Sequence, residues 1–181
     1  WSYFHRDTSV PTILKYVEDG DLYLFKLPDS RAAIAYMYAQ PFHFDTWDAL
    51  SAKLEDDTER ATLIERGKVY AEHFAILVEQ IAHKAVLVSF EGFECYLASA
   101  VDMFASDVGN RLVQLKPPLG MIVNVHGDVL NVSLRSDPSV DVSAIARKYG
   151  GNRHPRSSAF RLTWGDPLPW TVLKEHENPG H

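Results

Sequence analysis

Val129-Leu130-Asn131-Val132-Ser133-Leu134-Arg135-Ser136, then Asp141-Val142-Ser143-Ala144-Ile145-Ala146-Arg147-Lys148-Tyr149-Gly150-Gly151, then Ala159-Phe160-Arg161-Leu162-Thr163-Trp164: the reading of this stretch decides the fold. The first run, Val129–Leu134, alternates apolar and polar residues, as a half-buried strand does. Val142–Tyr149 carries apolar residues at helical spacing behind Asp141 or Ser143, either of which can cap it, and Gly150-Gly151 can end it. Ala159–Trp164 reads as a last strand. Strand, short helix and strand in close succession mean a mixed α/β domain.

Upstream, the same periods recur. Met121–Val125 and Val129–Leu134 are two strands joined at His126-Gly127-Asp128, Phe104–Leu115 is a helix, and Ala85–Phe90 and Phe93–Ser99 form a hairpin around Glu91-Gly92. Before residue 83 the period becomes helical. Leu63, Ile64, Ala71, Phe74, Leu77, Val78 and Ile81 place one long amphipathic helix over Thr58–His83, with Gly67 as its interior glycine. A shorter helix runs over Pro11–Val17, and Asp29-Ser30 caps another through Tyr38. The expected fold class is α/β: a helical N-terminal and linker part over 1–83, a mixed domain over 84–165 with a central sheet of about five strands, and a loose tail over 166–181.

Composition narrows the function classes. The chain has 181 residues, 46% of them hydrophobic and 23% charged, which fits a globular domain with a helical appendage. The single cysteine, Cys95, excludes an intrachain disulfide and fits a reducing compartment, so a cytoplasmic location is expected. It lies in the apolar alternation Phe93, Cys95, Leu97 and reads as a small buried residue. No apolar run reaches the roughly 18 residues of a transmembrane helix, and no signal peptide is visible. Trp1-Ser2-Tyr3-Phe4 reads as the apolar face of an element already under way, which suggests a fragment.

The formal net charge is -6, yet between Asp141 and Asp166 stand five Lys or Arg residues and no acid. Residues 1–94 hold sixteen acids against nine bases, which argues against general DNA coating. A confined basic pocket for a short anion remains compatible. Gly150-Gly151 permits positive φ and close backbone approach, Arg153 and Arg156 offer planar donors to phosphate oxygens, and His154 offers a ring N–H. Arg135 and Ser136 end the preceding strand and can face the same pocket. The competing reading makes Gly-Gly a helix C-cap and the arginines a solvated face.

Val132–Ser136, Val140–Ser143, Ile145-Ala146, Tyr149-Gly150-Gly151, His154 and Ala159-Phe160 together resemble the C-terminal DHH-associated domain of the DHH phosphoesterases. That family includes RecJ-like exonucleases, nanoRNases and dinucleotide phosphodiesterases, and its signature here reads Gly-Gly-Gly-Gly-His, two variable residues, then Ala-Ala-Gly-Phe. Tyr16–Tyr23 with Lys26-Leu27-Pro28, and Ser106–Gly109, resemble one uncharacterised branch of it. Asn152 and Arg153 stand where the family has glycines, and no Asp-His-His occurs.

The resemblance implies the substrate-binding portion of a manganese-dependent phosphoesterase acting on phosphodiester or phosphoanhydride substrates, most simply short oligonucleotides or dinucleotides. Arg135, Ser136, Gly150, Gly151, Arg153, His154 and Arg156 would hold phosphate. Asp21, or alternatively Asp19, corresponds to the last metal ligand. One carboxylate makes a poor two-metal site, so hydrolysis by this chain alone is not expected. The expected partners are a nucleotide or short single strand, the N-terminal catalytic half and a second copy through the helical part, with no membrane. Two alternatives stand beside this: a stand-alone nucleic-acid-binding module, and a structural domain with a degenerate motif. Neither the other histidines nor the aromatics suggest a site. His73 and His83 lack the i, i+4 spacing of a helical metal pair, and His5, His43 and His126 are scattered. Trp47 and Phe44 read as helix-packing residues. Tyr149, beside the glycines, is the candidate for base stacking.

Overall fold

The structure, a computed structural model, describes residues 1, 3, 5 and 7–174, with the backbone alone at Asn152, Arg153 and Lys174. The expectation that Trp1–Phe4 continues an apolar element falls largely outside the described residues. The chain divides into two compact units, Trp1–Ala75 and Ile76–His181.

In the first unit, α1 (Thr12–Asp21), α2 (Ser30–Tyr38), α3 (Phe44–Glu55) and the first part of α4 (Asp57–His83) enclose one apolar cluster. Ile13 and Tyr16 come from one face of α1, Ala33 and Met37 from α2, Leu50 and Leu54 from α3, and Leu63 from α4. Each set is spaced three or four residues apart within its helix, which puts it on one stripe. The first turn of α1 is held from another helix: Glu55 accepts the Thr12 N–H at 2.7 Å and its hydroxyl at 3.1 Å. Gly67 answers a close approach, because a Cβ there would lie 2.0 Å from the Ala32 carbonyl oxygen.

Three local expectations change in this unit. Asp29 is not a side-chain cap; it sits at φ 55 and makes no capping hydrogen bond. Its carboxylate lies 3.9 Å from Lys68 instead. α3 is a helix beyond those expected from the sequence. Trp47 packs against the core as expected, whereas Phe44 is 91% exposed on the first turn.

The second unit is a seven-stranded sheet in the order β5-β6-β4-β3-β2-β1-β7. Its strands are β1 (Val86–Phe90), β2 (Phe93–Ser99), β3 (Leu119–His126), β4 (Val129–Ser136), β5 (Asn152–His154), β6 (Ser157–Thr163) and β7 (Trp170–Lys174). The β2–β3 pair is parallel, joined through α5 (Ala105–Leu115), and the other pairs are antiparallel. Both expected hairpins form. Glu91 and Gly92 at φ 50 and 84 turn β1 into β2, and Gly127 at φ 62 turns β3 into β4.

The helices lie on opposite faces. Val142, Ile145 and Ala146 of α6 (Val142–Lys148) pack with Val132, Leu134, Met121, Phe90 and Phe160, the even-numbered face of β4. On the other face α5 lies across β2, β3 and β4. Gly120 allows this, since a Cβ there would meet the Gly109 carbonyl at 2.7 Å. Within this unit α5 packs on β2, β3 and β4, and on the same face Ala159 and Arg161 of β6 and His154 of β5 are exposed.

Two strands exceed the expected five. β5 is a three-residue edge strand pairing with β6. β7 arises within the segment expected as a loose tail, where Trp170–Thr171–Val172 align with Phe90–Ser89–Val88. Proline at 167 and 169 hides it in the sequence, but an edge strand can begin directly after a proline. The last part of α4 belongs to this unit, with Val78 and Ala82 buried. Cys95 is fully buried, and that burial pushes its thiol up to about 12.

Candidate anion-binding site

Antiparallel partners share a face, so register alone lines up the site. Arg135 on β4 lies opposite Ser157 on β6, which lies opposite His154 on β5. These three form one row on the α5 face, about 10 Å wide, from β4, which α5 crosses, to the exposed His154 on β5. Arg135 is held from α5: its Nη2 donates to the Ser106 hydroxyl at 3.0 Å and its Nη1 to the Leu134 carbonyl at 2.9 Å. The aliphatic stem runs over Gly109, where an added Cβ would lie 2.5 Å from Arg135 Cγ. The guanidinium is half-buried, and the His154 ring is exposed. An aligned guanidinium beside a hydroxyl and an imidazole can accept an anion at the mouth of an open sheet face.

Other expected members of the pocket are placed elsewhere. Ser136 points to the opposite face, buried, and donates its hydroxyl to the Val140 carbonyl at 2.7 Å. Gly150 and Gly151 close α6 in a Schellman motif. Gly150, at φ 74, donates its N–H to Arg147 at 3.2 Å, and Gly151 donates to Ala146 at 2.9 Å. Both amides are therefore engaged by helix carbonyls. Gly151 also presses on β6, since a Cβ there would meet the Ala159 carbonyl oxygen at 2.0 Å. Arg156 is exposed in the β5–β6 turn, where its charge helps lower the Asp137 carboxyl, after the larger effect of the Ser139 hydrogen bonds. The Arg153 side chain lies outside the described residues.

The basic stretch thus disperses on folding. Arg147 turns back to the Ser143 hydroxyl at 3.2 Å, and Lys148 pairs with Glu91. Arg161, absent from the sequence-based site, stands on the same face as Arg135, with Nε donating to Asn131 at 3.1 Å. Tyr149 is not an exposed stacking platform. It stacks on Phe160 with centroids 4.5 Å apart and donates its hydroxyl to Glu91. Burial first, and the Glu91 bond second, push that hydroxyl up to about 12.

The expected metal ligands lie in the first unit. Asp21 is an exposed carboxylate at the end of α1. Asp19 is buried, and its oxygens accept the N–H groups of Lys26 at 2.9 Å and Leu27 at 3.1 Å. Its main-chain carbonyl takes Leu24 N–H at 2.8 Å, so Asp19 organises the loop between α1 and α2. Burial would raise its carboxyl, but the Ser30 side chain, these backbone donors and the Lys26 charge together hold it below the usual range. Among the described residues no three His, Cys, Asp or Glu side chains converge as a metal-binding group. A single exposed carboxylate and a backbone-engaged one do not fit a two-metal centre.

Ser106 and Gly109 had a signal in the sequence, since Ser106–Gly109 carried part of the family resemblance. Their role did not, because it depends on α5 crossing β4. No helix among the described residues is long and apolar enough to cross a membrane.

No family model matches the chain. It is 29% identical over 172 residues to an uncharacterized protein of Acanthamoeba polyphaga mimivirus, covering 90% of this chain and 40% of that protein. A solved structure of an uncharacterized Helicobacter pylori protein superposes with a TM-score of 0.39 at 14% identity, covering 94% of this chain and 60% of that one. A pGpG-specific phosphodiesterase of Vibrio cholerae, PggH, superposes with a TM-score of 0.51 at 12% identity, over 85% of this chain and 61% of that chain. The chain therefore spans less than two thirds of the proteins it matches, and it shares the fold of a phosphodiesterase over most of its length.

Proposed function

We propose that this chain is the substrate-holding portion of a DHH-type phosphoesterase and that it grips a phosphate of a dinucleotide or short single-stranded oligonucleotide. The observation that carries the proposal is Arg135, held by the Ser106 hydroxyl over Gly109 at the edge of an open face, in one row with Ser157 and His154. Likeness to the fold of a pGpG-specific phosphodiesterase supports it. So does the run from Ser133-Leu134-Arg135-Ser136 to His154, which resembles that family's substrate-binding domain. The manganese implied by the resemblance would need ligands beyond Asp21, so no reaction step falls to this chain's residues. Their part is to bind and orient.

The test is a titration of the 181-residue chain with 5′-phosphorylated dinucleotide at low salt. Arg135→Glu should weaken binding at least about tenfold, since a charge-assisted hydrogen bond is worth about 1.5–3 kcal/mol and the variant adds repulsion. In the longer protein the same change should raise KM. Unchanged affinity refutes the grip, and robust manganese-dependent hydrolysis by this chain alone refutes the division of labour. A structural domain with a degenerate motif is the second reading. It is favoured by the Gly150 and Gly151 amides, which are engaged in capping α6. It predicts no binding of any nucleotide at low salt.

A further inference from the structure

Resting on that reading, we propose that Arg161 and Asn131 form a second anion subsite on the same sheet face, so that the site measures substrate length. The register fixes the geometry. Arg135 pairs with Ser157, Ser133 with Ala159, and Asn131 with Arg161. All six share one face of the β4–β6 pair, because partners and every second residue point the same way. Arg161 lies four residues along β6 from Ser157, a separation of about 13 Å at the rise of an antiparallel strand.

Between the two cationic rows the floor is low. Ser133 and Ala159 carry small side chains, and Ala159 is exposed. Arg161 is not a randomly oriented surface cation, since its Nε donates to Asn131 on the neighbouring strand at 3.1 Å. That bond engages Nε, and the side chain is exposed. A lone phosphate or a mononucleotide can occupy only one row. A linear chain whose phosphates lie two nucleotides apart can reach both, with a sugar or base lying over Ser133 and Ala159. The chemical class is therefore a short single-stranded oligonucleotide of three or more linked nucleotides, held at both ends of the strip.

The experiment compares inorganic phosphate, a 5′-mononucleotide and 5′-phosphorylated oligonucleotides of two, three and five residues. Each is titrated against the 181-residue chain, Arg135→Ala and Arg161→Ala over a range of salt. Affinity should rise with length up to the point where both rows are filled. Arg161→Ala should leave the mononucleotide unchanged, weaken the ligands of three and five residues about five- to tenfold, and reduce their log K against log salt slope by about 0.7, one phosphate contact on a single strand. Arg135→Ala should weaken every ligand. If Arg161→Ala changes nothing, or weakens the mononucleotide equally, the second subsite is refuted while the grip at Arg135 stands. Should Arg135→Ala change nothing, the grip and the length measurement fall together. Circular dichroism and melting of both variants show whether either change acts through folding.

Discussion

Gly109→Ala tests the positioning of Arg135 without touching the arginine. The new methyl would lie 2.5 Å from Arg135 Cγ, 2.6 Å from Ile122 Cδ1 and 3.2 Å from Arg135 Cβ. Contacts that short force a side chain to move. Ile122 is buried, so the half-buried arginine must yield most. Two opposing terms set the stability. Alanine in the interior of α5 gains about 1 kcal/mol of helix propensity over glycine. Overpacking costs about 1–3 kcal/mol. The expected net is a destabilisation of up to about 2 kcal/mol, a fall in Tm of no more than about 15 °C for a unit of this size. Anion affinity should fall about as far as in Arg135→Ala, because the guanidinium loses its place beside Ser106. Urea unfolding gives the first quantity and dinucleotide titration the second. Ser106→Ala is the companion: it removes the acceptor of Arg135 Nη2 and should weaken binding several-fold at little cost in stability. A Gly109→Ala protein that binds like the wild type, while Arg135→Ala does not, would refute the cradle.

Other outcomes follow from single contacts. Gly151→Ala puts a methyl 2.0 Å from the Ala159 carbonyl oxygen, which is backbone and cannot swing aside, so the loss should exceed about 2 kcal/mol in chemical denaturation. Gly150→Ala meets open space but keeps a φ of 74, and should lose only about 1 kcal/mol; equal losses at the two positions would sink this distinction. Asp19 has a folded-state carboxyl below its ordinary value, so its contribution is present above the unfolded pKa near 4 and is lost as pH falls through the folded value. Asp19→Asn should therefore lower stability at neutral pH and flatten its decline below about pH 4, measured as Tm against pH; a parallel decline contradicts the assignment. Cys95, buried and pushed up to about 12, should resist a thiol reagent at pH 8 until denaturant is added, and rapid native labelling would contradict its burial.

Local chemistry made much of the sheet unit legible. Two-residue turns at Glu91-Gly92 and Gly127-Asp128, alternation in β4, and Asp141 before Val142 are signals within a few residues of what they specify. The Asp141 carboxylate does accept the Ser143 N–H, at 2.9 Å. β7 was not legible, because its pairing with β1 joins residues eighty or more positions apart. The site divided in the same way. Arg135 and His154 were named from their residue types and order. Ser106 and Gly109 beneath Arg135 could not be assigned a role, since the helix that carries them meets β4 only when the sheet forms.

By itself the sequence determined a helical part followed by a mixed sheet domain, a buried inert thiol, and a Gly-Gly helix stop before a basic turn. Each follows from periodicity, turn chemistry or burial preference over a short window. Tertiary structure alone decided which cations meet. The strand period sends Arg135 and Ser136 to opposite faces, the helix end engages both glycine amides, and Lys148 pairs with Glu91. Register then sets Arg135, Ser157 and His154 in one row and Arg161 with Asn131 in another. A run of basic residues is contiguous in the chain, but side chains face alternate sides of a strand and successive sides of a helix, so the pocket is assembled by pairing and not by proximity in sequence.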